Sequence, residues 1–338
     1  AKTLFPYTTL FRSEKIKALR IATYQISGLV YPCDPVGNYR FGKLIKSIAP
    51  DVMHTMLWAA NFIGRWYAYR YGIAHVQAMH NNIDQNGFMR NFLDRISSFF
   101  TKRSGTSIAV SPGVARSIAS YAPWVSQQSL EVITNGITTK PCDTQSSVSR
   151  SSLGLLDTDF IIGAVGRLEW VKNYPLLLTI FALIYDQHVR AYLVIVGSGS
   201  QERYLRKRAY DLGIEDRVLF VVGKEAGPYY GLFDCFVMTS YKEGISIALL
   251  EAMAHGVVPV VMAVEGVHDV VEDHKNGMLA YSDNPEEFVQ IIDVLMEQPD
   301  LKKTLAGGAK VTATTKFKLE NMVEKYGALY VRMAAEKR

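Results

Sequence analysis

Short runs of β-branched and apolar residues alternate with amphipathic segments of helix length along most of this chain, and this alternation restricts its fold more than any other feature. Such alternation is typical of parallel strands joined by crossover helices. The pattern stops at residues 137–157, which are rich in Thr, Ser, Gln and Asp, and then resumes. A polar stretch without apolar periodicity predicts a linker, so the sequence predicts an α/β protein with two Rossmann-like domains in tandem.

The predicted domains are residues 14–140 and 158–312, with a linker at 141–157 and a C-terminal segment at 313–338. The expected strands lie near residues 19–24, 51–54, 75–79, 107–110 and 131–134 in the first domain, and near 160–165, 191–196, 218–222, 235–239, 257–261 and 278–281 in the second. The expected helices lie near residues 40–49, 57–71, 87–102, 112–121, 174–185, 200–211, 246–255 and 285–297. We expect a last apolar helix, near 318–335, to cross back and brace the first domain. Because ligands bind beyond the carboxyl ends of parallel strands, we expect a site in a cleft that both sheets face.

Composition excludes several classes of protein. Of the 338 residues, 49% are apolar and 20% are charged, which suits two sizeable cores and excludes a disordered or fibrous chain. The nearest candidate for a membrane span, residues 245–264, is interrupted by a glutamate, a histidine and a proline, whereas a span needs about 18 uncharged apolar residues. The three cysteines are far apart and odd in number, which excludes a disulfide framework or structural zinc and predicts a reducing, cytoplasmic location.

Charge is distributed unevenly along the chain. Residues 14–150 carry 15 Lys and Arg against 7 Asp and Glu, whereas residues 151–338 carry 20 against 25. In the basic half, residues 90–103 have the pattern of a basic amphipathic helix. Such a helix either docks on its own sheet with a solvated charged face or contacts an anionic surface, and the second reading implies peripheral attachment to the inner face of a membrane. No recognised DNA- or RNA-binding motif accompanies the charge, so we expect no nucleic-acid partner.

The segment most informative about function is residues 240–256, which follows a predicted strand and opens a helix. Gly244 permits close backbone approach, and the free N–H groups around Ile245 and Ser246 at the helix start predict an anion site suited to a phosphate. Glu243 precedes the helix and Glu251 lies about two turns into it, so each carboxylate could accept hydrogen bonds from vicinal hydroxyls at one end of an elongated ligand. The alternative is a capping Glu243 and a solvent-facing Glu251.

Two further loops follow predicted strands. Arg167 offers a planar fork of donors and Lys172 a mobile point charge, a combination suited to a diphosphate leaving group, although two cations in a loop are also ordinary surface residues. Gly197 and Gly199 form a G-x-G turn without the third glycine of a dinucleotide fingerprint, which disfavours a nicotinamide cofactor but allows a nucleotide to approach the backbone. The D-x-D at residues 157–159 precedes a strand, so we interpret it as a turn and expect no metal site.

The order of these motifs resembles the second domain of family 4 retaining glycosyltransferases, which have the GT-B fold. The motifs that carry the resemblance are Gly166-Arg167 with Lys172, the glycines at 197 and 199, Val221-Val222-Gly223, and Glu243-Gly244 followed by Glu251-Ala252-Met253-Ala254 and Gly256. The first half is similar too, at residues 50–54, 76–80, 108–111 and 133–136, and the match covers about residues 40–300.

The resemblance implies a donor site and a reaction. By it, Arg167 and Lys172 would hold the diphosphate of a UDP-, GDP- or ADP-sugar, Glu251 the ribose, and Glu243 the donor sugar near its reacting carbon. His80 would approach the transferred sugar from the first domain. The family needs no metal or cofactor and transfers sugar with retention, by attack on the same face assisted by the departing phosphate. A glycan or lipid-linked acceptor in bacterial polysaccharide biosynthesis is the expected partner.

The front of the chain departs from the family pattern. Residues 3–13 resemble a translated sequencing-adaptor read, so we exclude residues 1–13 from the fold. The family's first strand and glycine-rich loop would stand there, and we therefore expect an incomplete first domain. Two other functions stay open, a nucleotide-sugar 2-epimerase and a chain that binds nucleotide without reacting.

Overall fold

The computed structural model describes residues 34–56, 58–79, 105–121, 130–138 and 148–336, together with Arg95. These residues form two α/β units, each built on a parallel sheet, as the alternation predicts. Several predictions lie outside the described residues: the excluded segment 1–13, the strand at 19–24, His80, the helix at 87–102 with its basic stretch at 90–103 apart from Arg95, and the linker residues 141–147.

The first unit is a four-stranded parallel sheet in the order β1-β2-β3-β4. Its core contains Val76 and Ile108, both fully buried. The first described helix begins earlier than predicted, because the Asp34 side chain caps it by accepting hydrogen bonds from the N–H groups of Val36 and Gly37. The elements are α1 (Pro35–Ile48), β1 (Val52–Met56), α2 (Trp58–Tyr71), β2 (Ala74–Met79), β3 (Gly105–Ala109), α3 (Pro112–Tyr121) and β4 (Leu130–Val132).

The second unit is a six-stranded parallel sheet in the order β10-β9-β8-β5-β6-β7. Apolar clusters cover both faces, which is why its strands are continuous apolar runs that the sequence locates closely. Its strands are β5 (Phe160–Val165), β6 (Ala191–Val196), β7 (Val218–Val221), β8 (Cys235–Met238), β9 (Val258–Met262) and β10 (Met278–Ala280). Its helices are α4 (Tyr174–Gln187), α5 (Glu202–Asp211), α6 (Ile247–Ala254), α7 (Pro285–Glu297) and α8 (Pro299–Lys316).

The strand order places a topological switch point beside β5. From β5 the chain proceeds to β6 and β7 on one side and then returns to β8 on the other. Crevices for ligands form where the strand order reverses, outside the carboxyl ends of the two strands. The loops after β5 and β8 therefore lie side by side.

The last two helices connect the units. Residues 299–316, for which the sequence reading had no helix, form α8, whose Leu305, Ala309 and Ala313 are fully buried against the second unit. The chain then crosses to the first unit as α9 (Leu319–Glu336). There Leu329 and Met333 join the first core, and His54 Nδ1 lies 2.6 Å from Tyr330 Oη. The crossing thus starts at the end of α8, and residues 313–316 belong to the second unit.

The predicted linker differs from the structure over its second half. Residues 148–157 pack on the second unit, where Leu155 is 4% exposed. Arg150 Nη2 lies 2.9 Å from Asp234 Oδ2, and its Nη1 donates to the Asp159 carbonyl at 2.6 Å. Composition did not show this, because the segment has no apolar periodicity and is attached by single apolar residues such as Leu155 together with the polar contacts of Arg150.

Candidate active site

The loops after β5 and β8 meet in an ion pair. Lys172, at the end of a short 3-10 helix (Trp170–Lys172), places its Nζ 2.6 Å from Glu243 Oε1, and the two side chains are 17% and 11% exposed. The Tyr241 N–H donates to the Val171 carbonyl at 3.0 Å, which fixes one loop against the other. The structure thus brings together Lys172, which the resemblance assigns to the donor diphosphate, and Glu243, which it assigns to the donor sugar near its reacting carbon.

Tyr174 is buried near this pair, and sequence reasoning missed it. Its ring is 3% exposed, and burial together with the Glu243 carboxylate raises the pKa of its phenol, so the group stays protonated. Asn173, in the left-handed region at φ 49°, turns the chain from Lys172 into α4. An aromatic residue at a helix start resembles any core residue, and only its place directly after a predicted anion-binding lysine could have signalled it.

The start of α6 has the geometry of an anion site. Ser246 is its N-cap and accepts from the Leu249 N–H. In the described part of the chain, the N–H groups of Ile245, Ser246 and Ile247 donate no hydrogen bond. The Ile245 side chain is buried in the core, so this residue offers a ligand its backbone alone. A Cβ on Gly266 would lie 2.0 Å from the Gly244 carbonyl oxygen, so glycine at 266 is what allows this loop to pack.

Glu251 is held by an aromatic side chain beneath it. The Tyr230 hydroxyl donates to Glu251 Oε2 at 2.9 Å, and the Tyr230 ring stacks on His255 with centroids 5.2 Å apart. Tyr230 is fully buried, and burial followed by the Glu251 charge raises the pKa of its phenol. Tyr230 therefore remains a hydrogen-bond donor that orients the carboxylate.

Arg167 and the two glycines lie on the adjoining loop surface. Arg167 is exposed and forms no ion pair with any residue that the structure describes. A Cβ on Gly197 would lie 1.9 Å from the Gly166 carbonyl oxygen, and one on Gly199 would lie 2.4 Å from that of Leu168. The glycines are thus required by the contact between the two loops, whether or not a ligand approaches them.

The first unit contacts the same region. Asn135 Nδ2 donates to the Ile245 carbonyl at 3.3 Å, just before α6. At the start of α3, the Gly113 N–H donates to Asp269 Oδ2 at 2.7 Å, and Arg116 Nη2 lies 3.3 Å from Asp269 Oδ1. These contacts bring the first unit against the loops of the second.

The described residues contain neither a metal-ligating cluster nor a membrane-spanning helix. No group of three His, Cys, Asp or Glu side chains there could hold a metal ion. The Asp159 carboxylate accepts from the Leu156 N–H at 2.7 Å, which explains the D-x-D sequence as a turn. No helix in this part of the chain has the length and apolar character needed to cross a bilayer.

Known families match both halves of the chain. Residues 16–140 match the model for "Glycosyltransferase Family 4", and residues 146–311 match that for "Glycosyl transferases group 1". A glycosyltransferase of Methanocaldococcus jannaschii is 27% identical over 293 residues, which is 83% of this chain and 75% of the relative. The D-inositol 3-phosphate glycosyltransferase of Frankia alni is 33% identical over 173 residues, which is 48% of this chain and 42% of that protein.

A solved structure shows the same architecture. HepE of Anabaena, in complex with UDP and glucose, superimposes with a TM-score of 0.82 at 18% identity, over 95% of this chain and 89% of HepE. The chain spans half or less of the length of several curated relatives that it matches. Since models of glycosyltransferases match both halves and the two units superimpose on a known GT-B structure, the protein belongs to glycosyltransferase family 4 and has the GT-B fold.

Proposed function

We propose that this protein transfers a sugar, with retention of configuration, from a nucleoside-diphosphate sugar to a glycan or lipid-linked acceptor. The observation that carries the proposal is the Lys172–Glu243 pair at the switch point. It lies beside the start of α6, where the first backbone N–H groups donate no hydrogen bond to any described residue. The same loops and the helix that follows supply candidate groups for the phosphates, the sugar and the ribose of such a donor.

The donor phosphates are assigned to the cations and the amides. Lys172, the exposed Arg167 and the amides before α6 would neutralise the charge that develops on the leaving diphosphate. Glu251, oriented by Tyr230, would accept hydrogen bonds from the ribose hydroxyls. His80, which lies outside the described residues, stays a prediction for the acceptor side.

The Glu243 carboxylate is assigned to the hydroxyls of the donor sugar. Because Lys172 binds Oε1, the carboxylate is held as a charged acceptor, and Oε2 has no hydrogen-bond partner among the described residues. In the reaction, the bond between the anomeric carbon and the β-phosphate oxygen breaks, and the electron pair of that bond stays on the diphosphate. The acceptor oxygen bonds to that carbon on the same face, and its proton passes to the departing phosphate. The protein contributes position and charge stabilisation.

The test is a transfer assay on the full chain. UDP-glucose is the first donor to try, since HepE was crystallised with it, and GDP- and ADP-sugars follow. Products from glycan and lipid-linked acceptors are identified by mass spectrometry, and NMR assigns the anomeric configuration. We expect an α-linked product from an α-donor. We expect Glu243→Gln to abolish transfer while the variant still unfolds cooperatively, at a lower temperature than the wild type because Lys172 loses its charged partner.

Three outcomes would contradict the proposal. They are inversion of configuration, full turnover by Glu243→Gln, and conversion of the nucleotide sugar without any acceptor. The last outcome identifies an epimerase. A fourth outcome, donor binding without hydrolysis or transfer across the acceptor panel, would also contradict it and would identify a nucleotide-binding chain that does not react.

A further inference from the structure

The outer side of the paired loops carries exposed aromatic side chains. Lys172 and Glu243 are nearly buried, whereas Trp170 and Tyr241, two positions earlier in each loop, are 66% and 39% exposed. Their ring centroids lie 5.0 Å apart at an interplanar angle of 31°. Each loop therefore presents a charged residue inward and an aromatic residue outward.

The aromatic pair borders a cavity of about 330 Å³. Residues from α4 and α5 close it, including the 53% exposed Tyr204. Six uncharged residues line it: Trp170, Asn173, Pro175, Gln201, Tyr204 and Tyr241. An uncharged lining does not suit a phosphate or a carboxylate ligand, because neither would find a compensating cation.

Two amide side chains in this lining lack partners. Gln201 Oε1 is buried and accepts no hydrogen bond. Asn173 is 6% exposed, and its side-chain amide makes no hydrogen bond to a residue that the structure describes. A buried amide oxygen without a partner is costly, so Gln201 Oε1 favours a ligand that supplies a hydroxyl group.

Flat aromatic faces beside unpartnered amides match the two surfaces of a pyranose ring. The C–H faces of such a ring pack on aromatic side chains, while its equatorial hydroxyls donate to and accept from amides. The cavity volume is at the lower end of the range for ligand sites, which suits one ring and not a large ligand.

We propose that this cavity is a second saccharide site, which binds one neutral pyranose ring of a glycan on the outer side of the loops that carry Lys172 and Glu243. Trp170 and Tyr241 form its stacking face, and Gln201 and Asn173 bind the hydroxyls. None of these four side chains belongs to the donor site, so occupancy of the cavity is measurable without any transfer reaction.

The test is a titration of the full chain with neutral oligosaccharides. The probes are maltohexaose, cellohexaose, laminarihexaose, mannohexaose and chitohexaose, followed by calorimetry and by tryptophan fluorescence. We expect at least one to bind, and we expect Trp170→Ala to weaken that binding about tenfold or more. Trp66→Ala is the matched control, since Trp66 is 49% exposed but lies in the first unit, and it leaves the affinity unchanged.

Further variants separate this site from the donor site. Gln201→Ala weakens saccharide binding, whereas Glu243→Gln leaves it unchanged, and thermal melts verify that every variant is folded. The proposal is overturned if no probe binds the folded wild type, if Trp170→Ala binds as the wild type does, or if Glu243→Gln removes the binding. Trp170-dependent attachment to anionic phosphatidylglycerol vesicles, with no saccharide bound, would overturn it in favour of a membrane surface.

Discussion

Among individual residues, Lys172 and Glu243 carry charges that stabilise each other. Both side chains are largely buried, so removal of either leaves a charge that little water can reach. We expect Lys172→Ala to lower the free energy of unfolding by about 2 kcal/mol, measured by urea denaturation. The control is Lys207→Ala, which breaks an ion pair of 2.8 Å whose members are 72% and 42% exposed, and its effect stays within about 0.5 kcal/mol. Equal losses of unfolding free energy for Lys172→Ala and Lys207→Ala would contradict the burial of the Lys172–Glu243 pair.

His75 predicts a pH dependence in the first unit. Thr55 Oγ1 donates to Asn61 Oδ1, so it accepts from His75 Nε2 at 2.8 Å, and the buried Nδ1 is left without a partner. Burial, followed by the charges of Arg65 and His54, lowers the pKa of His75 from 6.5 to about 3. Between these values the unfolded chain binds a proton that the folded chain does not, so stability falls as the pH falls below 6.5.

The measurement for His75 is urea denaturation at pH 7 and pH 5. From the pKa difference, we expect the wild type to lose about 2 kcal/mol more than His75→Gln over this interval. His274→Asn is the control, since that side chain is 70% exposed, and it follows the wild type. A His75→Gln profile parallel to that of the wild type would show that the imidazole titrates normally in the fold.

At this scale the sequence predicted the charged residues and missed their supports. Glu243, Glu251 and Lys172 follow strands in a recognisable order, so their spacing carries information. Tyr230 acts through its buried hydroxyl, and Tyr174 is buried near the Glu243 charge. A tyrosine in an apolar segment has the same sequence pattern whether or not its hydroxyl is used. Only the folded chain shows which phenol faces a carboxylate.

Among the α-helices and strands that the structure describes, α8 is the one that sequence reasoning missed. Its buried residues Leu305, Ala309 and Ala313 recur every fourth position, but two of the three are alanines and the helix contains two adjacent glycines. Small residues permit close packing, and they weaken the apolar signal from which helices are inferred. The strands of the second unit were located closely because burial on both faces makes them unbroken apolar runs.

The adjacent glycines of α8 give an internal test of this packing. A Cβ on Gly307 would meet nothing within 4 Å, whereas one on Gly308 would lie 2.3 Å from the Lys275 carbonyl oxygen. We expect Gly307→Ala to raise the free energy of unfolding by about 0.5–1 kcal/mol, because alanine loses less backbone entropy in a helix. Gly308→Ala lowers it. Urea denaturation compares the two, and the opposite order of stabilities would refute the placement of α8 on residue 275.

In the whole molecule, the two units are joined by α9 and by the Asp269 contacts. Asp269 accepts from the Gly113 N–H at the start of α3 and pairs with Arg116, and its side chain is 9% exposed. A carboxylate at a helix N-terminus is stabilising, and here it is supplied by the other unit. Sequence reasoning predicted the helix at 112–121, but it had no information on which segment of the second unit meets its start.

We therefore expect Asp269→Ala to lower the free energy of unfolding by about 1 kcal/mol and to widen the separation of the units. Urea denaturation and small-angle scattering of the free protein measure the two effects. Glu265→Ala is the control, since Glu265 meets Arg116 at 3.6 Å with side chains 41% and 59% exposed, and its effect is smaller. Unchanged stability and unchanged scattering for Asp269→Ala would show that the contact of Asp269 with α3 does not hold the two units together.

The central claim is that the crevice between the loops after β5 and β8 binds a nucleoside diphosphate. Calorimetric titration of the full chain with UDP, GDP and ADP tests it most directly. The account predicts that one of these nucleotides binds. It also predicts that Tyr230→Phe, which removes the hydroxyl that orients Glu251, weakens the affinity for that nucleotide about tenfold. Tyr229→Phe, a change at the neighbouring tyrosine, leaves the affinity unchanged. If none of the three nucleotides binds the folded chain, or if Tyr230→Phe binds as the wild type does, the claim is contradicted.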